Sequence, residues 1–328
     1  MLRLGIIGTG AISHEFIIAA LENGSYELVA VYSRNLETAE NFASTYSGLQ
    51  LYTNMEAFLG SDLDVIYIAS PNSLHYQQAE AALVAGKHVI VEKPAVTRPE
   101  EWQDLLATAS QHQVYIFEAA RNVHEGAFAL ISDFLADKTI WGAHFTYAKY
   151  SSKMGDLLAG KTPNVFSAQF AGGALMDLGV YTVYAAHRLF GAPETASYTA
   201  QQLPNSLDLN GAGSLFYPDF QVRVEAGKNI HSNLPAEIYT ADGTLTLDGI
   251  EYIQSAVFCR HDGKEFRLPI QPEKRKMTGQ VATFAEIIQQ KDQRAYQELA
   301  DMATNVHQTL WNMRQRAGIA FEGENNEN

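Results

Sequence analysis

The stretch Leu2-Arg3-Leu4-Gly5-Ile6-Ile7-Gly8-Thr9-Gly10-Ala11-Ile12-Ser13 begins the chain and decides its fold. Its first half is a short, mostly apolar run with branched residues, which is typical of a buried parallel strand. A glycine-rich turn follows, and from Ile12 onward the apolar residues recur at helical spacing. A strand, a glycine-rich turn and a helix in this order predict the dinucleotide-binding unit of a Rossmann domain.

The turn contains the residue types that a pyrophosphate site needs. Gly8 permits the tight turn, Gly10 lets the backbone approach the phosphates, and Ser13 is small enough for helix and strand to pack closely. The free N–H groups and the dipole at the start of the helix favour an anion. We therefore expect the cofactor to bind at Gly8, Thr9, Gly10, Ala11 and Ile12.

The end of the second predicted strand indicates which dinucleotide binds. A Rossmann domain that prefers NAD usually has an Asp or Glu there, whose carboxylate binds the ribose hydroxyl group and would repel a phosphate. This chain has Ser33 and Arg34 instead. Because a guanidinium matches a phosphate in both charge and geometry, the pair predicts NADP rather than NAD. An NADP site makes the chain an expected oxidoreductase.

The arrangement of apolar segments predicts two domains. Through residue 118 strands and helices alternate, which indicates a doubly wound α/β domain with a parallel sheet. The expected strands are 2–7, 27–32, 64–69, 87–91 and 114–118, and the expected helices are 12–22, 36–46, 76–85 and 99–110. A helix is expected at 174–190, and the later strand-like segments lack helices between them, which predicts a mainly antiparallel sheet. We therefore expect a Rossmann domain over residues 1–120 and an α/β domain over residues 121–328.

Composition excludes several classes of protein. The net charge is −14 and both halves are acidic, so no nucleic-acid partner is expected. No apolar run is long enough to span a bilayer, and a strand that begins at residue 2 leaves no room for a signal peptide. The single cysteine, Cys259, allows no internal disulfide. We expect a cytoplasmic protein with no metal site and a disordered polar tail over residues 322–328.

Two further loops follow predicted strands, where ligands of open α/β sheets bind. The first loop contains Ser70, Asn72 and His75. Its residues also suit an ordinary turn and helix start, and such a turn can contact a ligand as well. In the second loop, a positive charge on Lys93 can stabilise the alkoxide that develops during hydride transfer, although a surface lysine at a strand end explains it equally well. We expect the following residues of these loops to contact the cofactor: Ser70, Asn72, His75, Glu92 and Lys93.

Four motifs occur in order along the chain: Gly8-x-Gly10-x-x-Ser13, Ser70-Pro71-Asn72-x-x-His75, Glu92-Lys93-Pro94 and Gly172-Gly173-Ala174-Leu175-Met176-Asp177-Leu178-Gly179-Val180-Tyr181. Together they resemble the Gfo/Idh/MocA family, named after glucose-fructose oxidoreductase, inositol dehydrogenase and a rhizopine catabolism protein. The resemblance covers nearly the full length. It implies that Lys93 matches the catalytic lysine of the family and that Asp177 matches its substrate-site aspartate.

Residue 181 separates branches of that family. Inositol dehydrogenase-like members have His at this point, whereas this chain has Tyr181, as do members similar to dimeric dihydrodiol dehydrogenase and glucose-fructose oxidoreductase. A tyrosine close to a lysine can donate or accept the proton of the reaction. Asp177 and Tyr181 are four residues apart, so a helix places them on one face. An ordinary packing position beside Val180 and Tyr184 explains the tyrosine as well.

The resemblance implies reversible hydride transfer between NADP(H) and a carbinol carbon of a sugar, polyol or cyclic diol. Lys93, Tyr181 and Asp177 are the expected catalytic residues. The second domain is expected to bind substrate and to join a homodimer or higher homo-oligomer through an open sheet face. Two alternatives stay open: an NAD-dependent inositol-type dehydrogenase, and a catalytically silent regulator of the same fold that senses nucleotides. Arg121 and His124 lie where the chain departs from the family pattern, so they receive no role.

Overall fold

The computed structural model describes residues 1–322 and 324. The chain forms two compact units: Met1–Arg121 with Met277–Asp301, and Asn122–Lys276 with the chain from Met302 onward. The expected division near residue 120 assigned residues 277–301 to the second domain, whereas in the structure they pack with the first unit. Their aromatic and apolar side chains explain this, because Phe284 stacks on Phe117 with ring centroids 4.6 Å apart.

The first unit contains a parallel sheet with helices between its strands. Its strands are β1 (Leu2–Ile7), β2 (Tyr26–Tyr32), β3 (Gln50–Tyr52), β4 (Val65–Ile68), β5 (His88–Glu92) and β6 (Ile116–Ala119). Its helices include α1 (Ala11–Asn23), α2 (Leu36–Ala43), α3 (Met55–Leu59), α4 (His75–Val84) and α5 (Pro99–Gln111). The strand order β3-β2-β1-β4-β5-β6 reverses direction between β1 and β4, as in dinucleotide-binding domains.

The doubly wound parallel fold predicted for this region is therefore confirmed. β1, β4 and β5 consist mainly of buried apolar residues with branched side chains, because helices cover both faces of the sheet. Phe16 of α1, for example, stacks on Tyr67 of β4 with ring centroids 3.8 Å apart. The short elements β3 and α3 were not predicted, since three to five residues carry too little periodicity to be recognised.

The second unit contains a large sheet and the helix that carries the predicted substrate residues. Its first elements are α6 (Gly126–Leu135), β7 (Ile140–Ala148), α7 (Met154–Leu158) and α8 (Val180–Phe190). Its later strands are β8 (Thr195–Gln202), β9 (Asp208–Phe216), β10 (Gln221–Gly227), β11 (Ala236–Thr240), β12 (Gly243–Leu247), β13 (Ala256–Arg260) and β14 (Glu265–Arg267). α9 (Thr278–Gln290) belongs to the first unit, and α10 (Gln293–Ala317) contributes residues to both.

This second sheet is mixed but mainly antiparallel, as predicted. Its order is β14-β13-β12-β11-β7-β10-β9-β8, in which the central pair β7 and β10 is parallel. One face packs on α8, where Phe145 stacks with Phe190 at 6.2 Å. On β10, buried Val222 and Val224 alternate with exposed Arg223, which shows that the opposite face of the sheet is polar and solvated there.

Three smaller findings complete the fold. The sequence pattern of the second domain predicts strands near 194–201, 210–217, 220–227, 235–241 and 251–258. The last of these overlaps only the start of β13, and β12 was not predicted. Among the described residues, none of the helices combines the length and apolar character that crossing a bilayer requires. Most of the tail expected to be disordered lies outside the described residues. Glu324, which is described, pairs with buried Arg314 at 2.9 Å.

Candidate active site

The glycine-rich turn joins β1 to α1 in the conformation that its residues predict. Gly8 has a φ of +105°, and a Cβ there would overlap the carbonyl group of Ala69. Ser13 is buried and its hydroxyl group donates to the Gly8 carbonyl oxygen at 2.8 Å, so it fixes the turn as well as packing closely. Gly10 caps α1 and is exposed, which leaves the helix N-terminus accessible to an anion.

A cleft of about 360 Å³ lies at the carboxyl ends of β1, β2 and β4. Its wall includes Arg34, which is exposed and has no ion-pair partner among the residues that the structure describes. Asn35 caps α2, because its side-chain oxygen accepts a hydrogen bond from the Thr38 N–H at 3.1 Å. The cleft is lined by Ile7, Gly8, Thr9, Gly10, Tyr32, Ser33, Arg34, Asn35, Thr38, Ala69, Ser70, Pro71, Leu74 and Gln78.

The cleft brings together half of the predicted cofactor residues. Those that line it are Gly8, Thr9, Gly10, Ser33, Arg34 and Ser70, and those that do not are Ala11, Ile12, Asn72, His75, Glu92 and Lys93. Sequence reasoning missed the lining residues Asn35, Thr38 and Gln78. Asn35 at a predicted helix start was a usable signal, because Asn is a preferred N-cap residue.

The lining chemistry fits a phosphorylated dinucleotide. Gly8 lacks the Cβ that would fill the turn, α1 presents free N–H groups, and Arg34 adds a cation. None of the residues that line the cleft in the described chain is an Asp or Glu. A carboxylate that would bind an unmodified ribose and repel a 2′-phosphate is therefore absent from this lining.

His75 connects the two loops beyond β4 and β5. It is 1% exposed, its Nε2 lies 2.8 Å from the Ser70 carbonyl oxygen, and its Nδ1 lies 2.9 Å from that of Pro94. Burial lowers the pKa of His75, with Lys93 acting in the same direction, and this outweighs the two carbonyl contacts and Glu118. The Lys93–Pro94 peptide bond is cis. Both ring nitrogens of His75 thus contact backbone carbonyl oxygens. A contact of His75 with the cofactor stays a prediction.

Glu92 precedes Lys93 at the end of β5 and does not line the cleft. It is buried, and its Oε1 accepts a hydrogen bond from the Tyr67 hydroxyl group at 2.6 Å. Burial raises the pKa of Glu92, and this effect is opposed by the charge of Lys93, the Tyr67 hydrogen bond and the charge of Arg121. Lys93 itself is half-buried at the end of β5. Glu92 is therefore a buried, hydrogen-bonded carboxyl group next to the predicted catalytic lysine, and its burial disfavours the charged form.

In the second unit, Asp208 holds the start of the segment that carries Asp177. Its carboxylate accepts hydrogen bonds from the N–H groups of Ala174 at 3.0 Å and Leu175 at 2.7 Å. The Tyr198 hydroxyl group donates a third hydrogen bond to it at 2.9 Å. Gly173, with a φ of +110°, is required because a Cβ there would overlap the Asp208 carboxylate. Burial raises the pKa of Asp208, and these hydrogen bonds oppose that effect.

The helix expected over 174–190 is not regular. Leu175–Gly179 form a π-helical turn, and α8 begins at Val180. Asp177 lies in the π turn and Tyr181 in the first turn of α8. The helix expected over 174–190 is thus confirmed in extent, but its first part is a π turn, in a segment where Gly172, Gly173 and Gly179 lack the side chains that favour a regular α-helix. Turns of this kind occur often at functional sites.

Asp177 and Tyr181 have partners that the motif did not indicate. Asp177 pairs with the ammonium group of Lys228, which is buried. The Tyr181 ring meets the edge of Tyr147 with centroids 5.5 Å apart, and its backbone carbonyl accepts from the Asn122 side chain at 3.2 Å. Lys228, Asn122 and Asp208 were all missed. They are distant in sequence from the motif, so no local pattern could have found them.

Comparisons with known proteins agree with this arrangement. A family model described as an oxidoreductase family with an NAD-binding Rossmann fold matches residues 2–119, and a GFO/IDH/MocA C-terminal domain model matches residues 139–246. The uncharacterized oxidoreductase YgjR of Escherichia coli is 37% identical over 260 residues, which is 79% of each chain. The scyllo-inositol 2-dehydrogenase (NADP(+)) IolU of Bacillus subtilis is 29% identical over 326 residues, or 99% of each chain.

A solved structure with a similar fold is that of KijD10, a 3-ketoreductase from Actinomadura kijaniata in complex with NADP and TDP-benzene. It has a TM-score of 0.86 and 22% identity and covers 96% of this chain and 98% of its own. The predicted cofactor, NADP, agrees with that complex and with the cofactor in the name of IolU. The motifs, the two-unit fold and both family models lead to one conclusion. The chain belongs to the Gfo/Idh/MocA family and is an NAD(P)-dependent oxidoreductase.

Proposed function

We propose that this protein transfers a hydride reversibly between NADP(H) and a carbinol carbon of a sugar, polyol or cyclic diol. The observation that carries the cofactor assignment is the cleft that Ser33 and Arg34 line together with the Gly8–Gly10 turn, with no acidic residue in its described lining. A phosphate on the adenosine ribose would find a guanidinium and an Asn35-capped helix start there.

The names of the relatives support the proposed substrate class. IolU is named for scyllo-inositol, and relatives from Xenopus tropicalis and mouse are named for trans-1,2-dihydrobenzene-1,2-diol. Both compounds carry neighbouring ring hydroxyl groups on carbinol carbons. Tyr181, which stands where inositol dehydrogenase-like members have His, favours the second of these branches. We therefore propose a neutral ring polyol or diol as the substrate.

The proposed roles divide between the two units. Bound NADP supplies the hydride acceptor or donor. In the oxidising direction Tyr181 acts as a phenolate, a form that a positive charge such as that of Lys93 favours. It accepts the proton of the substrate hydroxyl group and becomes a neutral phenol, while the carbinol hydrogen leaves as hydride. The ammonium group of Lys93 stabilises the alkoxide that forms. Asp177 accepts a hydrogen bond from a neighbouring substrate hydroxyl group and so orients the ring.

A substrate panel assayed by absorbance of the reduced nicotinamide tests this proposal. It contains scyllo-inositol, myo-inositol, glucose and trans-1,2-dihydrobenzene-1,2-diol, each with NADP+ and with NAD+. We expect turnover of at least one member with a higher kcat/KM for NADP+. A higher kcat/KM for NAD+ would favour the inositol-type alternative. Tight NADPH binding without turnover of any member would favour the nucleotide-sensing regulator.

A further inference from the structure

Asp177 has a charged partner that its own motif does not contain. Lys228 follows directly after β10 and is 3% exposed, and its ammonium group pairs with Oδ2 of Asp177. The Asp177 side chain keeps 33% of its surface exposed. One carboxylate oxygen is therefore held by a buried cation while the carboxylate remains accessible from outside the protein.

The protein holds Lys228 in a defined position. Its backbone N–H donates to the Leu209 carbonyl oxygen at 2.7 Å, and its own carbonyl oxygen accepts from the Ser151 N–H at 2.8 Å. The ammonium nitrogen lies 5.6 Å from the centre of the Phe166 ring, a favourable distance for a cation over an aromatic face. Strand β9 and the segment after β7 thus fix the backbone of Lys228, and the Phe166 ring lies beside its ammonium group.

A buried lysine at this position needs an explanation. Lysine is almost never fully buried unless it is paired, because removing an ammonium group from water is costly. An aspartate whose side chain is one-third exposed can be solvated without such a partner. The Lys228–Asp177 pair therefore does more than neutralise the charge of Asp177. It also fixes the orientation of the Asp177 carboxylate.

We propose that Lys228 is a positioning residue for the hydride-transfer reaction. By holding Oδ2 of Asp177 it presents the exposed part of the carboxylate as an oriented acceptor for a substrate hydroxyl group. This inference rests on the proposed function, in which Asp177 binds substrate. Because the pair is electroneutral and buried on the lysine side, it selects a neutral hydroxyl donor over a substrate with a carboxylate or phosphate at the same point.

Steady-state kinetics on the full chain test the proposal. The probe is scyllo-inositol, or the panel member that the wild type turns over fastest. In Lys228→Met the side-chain length is kept and the charge is lost, so we expect KM for the polyol to rise about 10- to 100-fold. The KM for NADP+ should stay within about twofold, since the cofactor cleft lies in the other unit. Lys149→Met, at an exposed position one residue after β7, is the matched control and should leave both constants unchanged.

Two further variants separate positioning from general stabilisation. Lys228→Arg keeps the cation and should recover part of the lost affinity. In an Asp177→Asn background, Lys228→Met should add little to the loss, because the lysine acts only through that carboxylate. If Lys228→Met folds poorly, the comparison of Lys228→Arg with the Asp177→Asn single variant still decides: Lys228→Arg should retain a lower polyol KM.

Three results would overturn the inference. They are an unchanged polyol KM in Lys228→Met, an equal loss in the presence and absence of the Asp177 carboxylate, and a Lys228→Arg variant with a polyol KM as high as that of Asp177→Asn. In each of these the wild type is active, so the proposed function survives. A wild type that turns over no member of the panel overturns the proposed function and this inference with it.

Discussion

The carboxylate of Asp208 accepts a hydrogen bond from the backbone N–H of Leu175 at 2.7 Å, although 33 residues separate them in sequence. A second hydrogen bond, from Ala174 at 3.0 Å, makes Asp208 a cap for the segment that carries Asp177. A residue at the start of β9 therefore holds the beginning of the site segment. The geometry of Asp177 depends on a side chain outside the motif.

Asp208→Ala should destabilise the protein by about 3–5 kcal/mol, because it leaves two backbone N–H groups and the Tyr198 hydroxyl group buried without an acceptor. Asp208→Asn keeps one oxygen acceptor and should cost less. Urea unfolding followed by circular dichroism measures the difference. Asp219→Ala, at an exposed position, is the control and should stay within about 0.5 kcal/mol of the wild type. Equal stability of Asp208→Ala and Asp219→Ala would contradict the capping role.

Arg34→Ala should weaken NADP binding by about 1.5–3 kcal/mol, the usual contribution of a hydrogen bond to a charged group. Affinity for NAD should barely change, since NAD lacks the phosphate that the guanidinium would contact. Fluorescence titration with NADPH and NADH measures both. Arg294→Ala, whose side chain is 90% exposed on α10 and does not line the cleft, is the matched control. Equal NADPH affinity in Arg34→Ala and the wild type would contradict the assignment of Arg34 as the residue that binds the phosphate on the ribose.

Stability should fall as the pH falls from about 6.5 to about 4, and His187 should contribute to that loss. Burial lowers the pKa of His187 to about 4. The unfolded chain therefore binds a proton in this range that the folded protein does not, which favours unfolding. Integrated over the window, the effect is roughly 2–3 kcal/mol.

His187→Gln removes the titration but keeps a group that can hydrogen-bond Thr309, which lies 3.0 Å from Nε2. Thermal unfolding at a series of pH values should therefore show a flatter dependence for His187→Gln than for the wild type. His231→Gln, at an exposed position, should retain the wild-type slope. Parallel pH dependences for all three proteins would show that His187 makes no such contribution.

We propose that the solvated face of the second sheet joins two copies of the chain. Arg223, His144 and Glu237 lie side by side across β10, β7 and β11 on that face, so opposite charges are available for self-pairing. Light scattering should show a dimer or higher oligomer at micromolar concentration. Ala212→Arg, on the same face of β9, should shift the protein toward monomer. A wild-type monomer at that concentration would contradict the proposal.

Much of the first unit could be predicted because its signals are local. The run from Leu2 to Ser13 contains the strand, the turn and the helix start within twelve residues, and each is confirmed. The NADP expectation rested on Ser33 and Arg34, which lie together at one strand end and line the observed cleft. Such features need only neighbouring residues, so periodicity and turn chemistry are enough to find them.

The second unit was less predictable because its site depends on distant residues. Asp177 and Tyr181 were found through the motif around them. Asp208 begins β9 and Lys228 follows β10, and these two strands pair only in the folded sheet. The π turn at Leu175–Gly179 was also missed, since helical spacing does not distinguish it from an α-helix. The return of residues 277–301 to the first unit likewise depends on long-range aromatic packing.

Tyr181, the second side chain proposed to be catalytic, offers a mild probe. Tyr181→Phe removes only a hydroxyl group, so the fold and NADPH affinity should be kept while turnover falls and the pH profile of kcat shifts. Stopped assays across a pH series measure this on whichever polyol the wild type oxidises. A variant with the wild-type rate and profile would reassign Tyr181 to packing against Tyr147, which it meets edge-on.

The most direct test of the account compares Lys93→Met with the wild type in two measurements on the same samples: NADPH titration and steady-state turnover of the best panel substrate. The account predicts NADPH affinity within about twofold of the wild type, because the residues that line the cofactor cleft are unchanged. It predicts a kcat lower by about 100- to 1,000-fold, the usual loss when a charge that stabilises the transition state is removed. Turnover at the wild-type rate in Lys93→Met would contradict the proposed catalytic role.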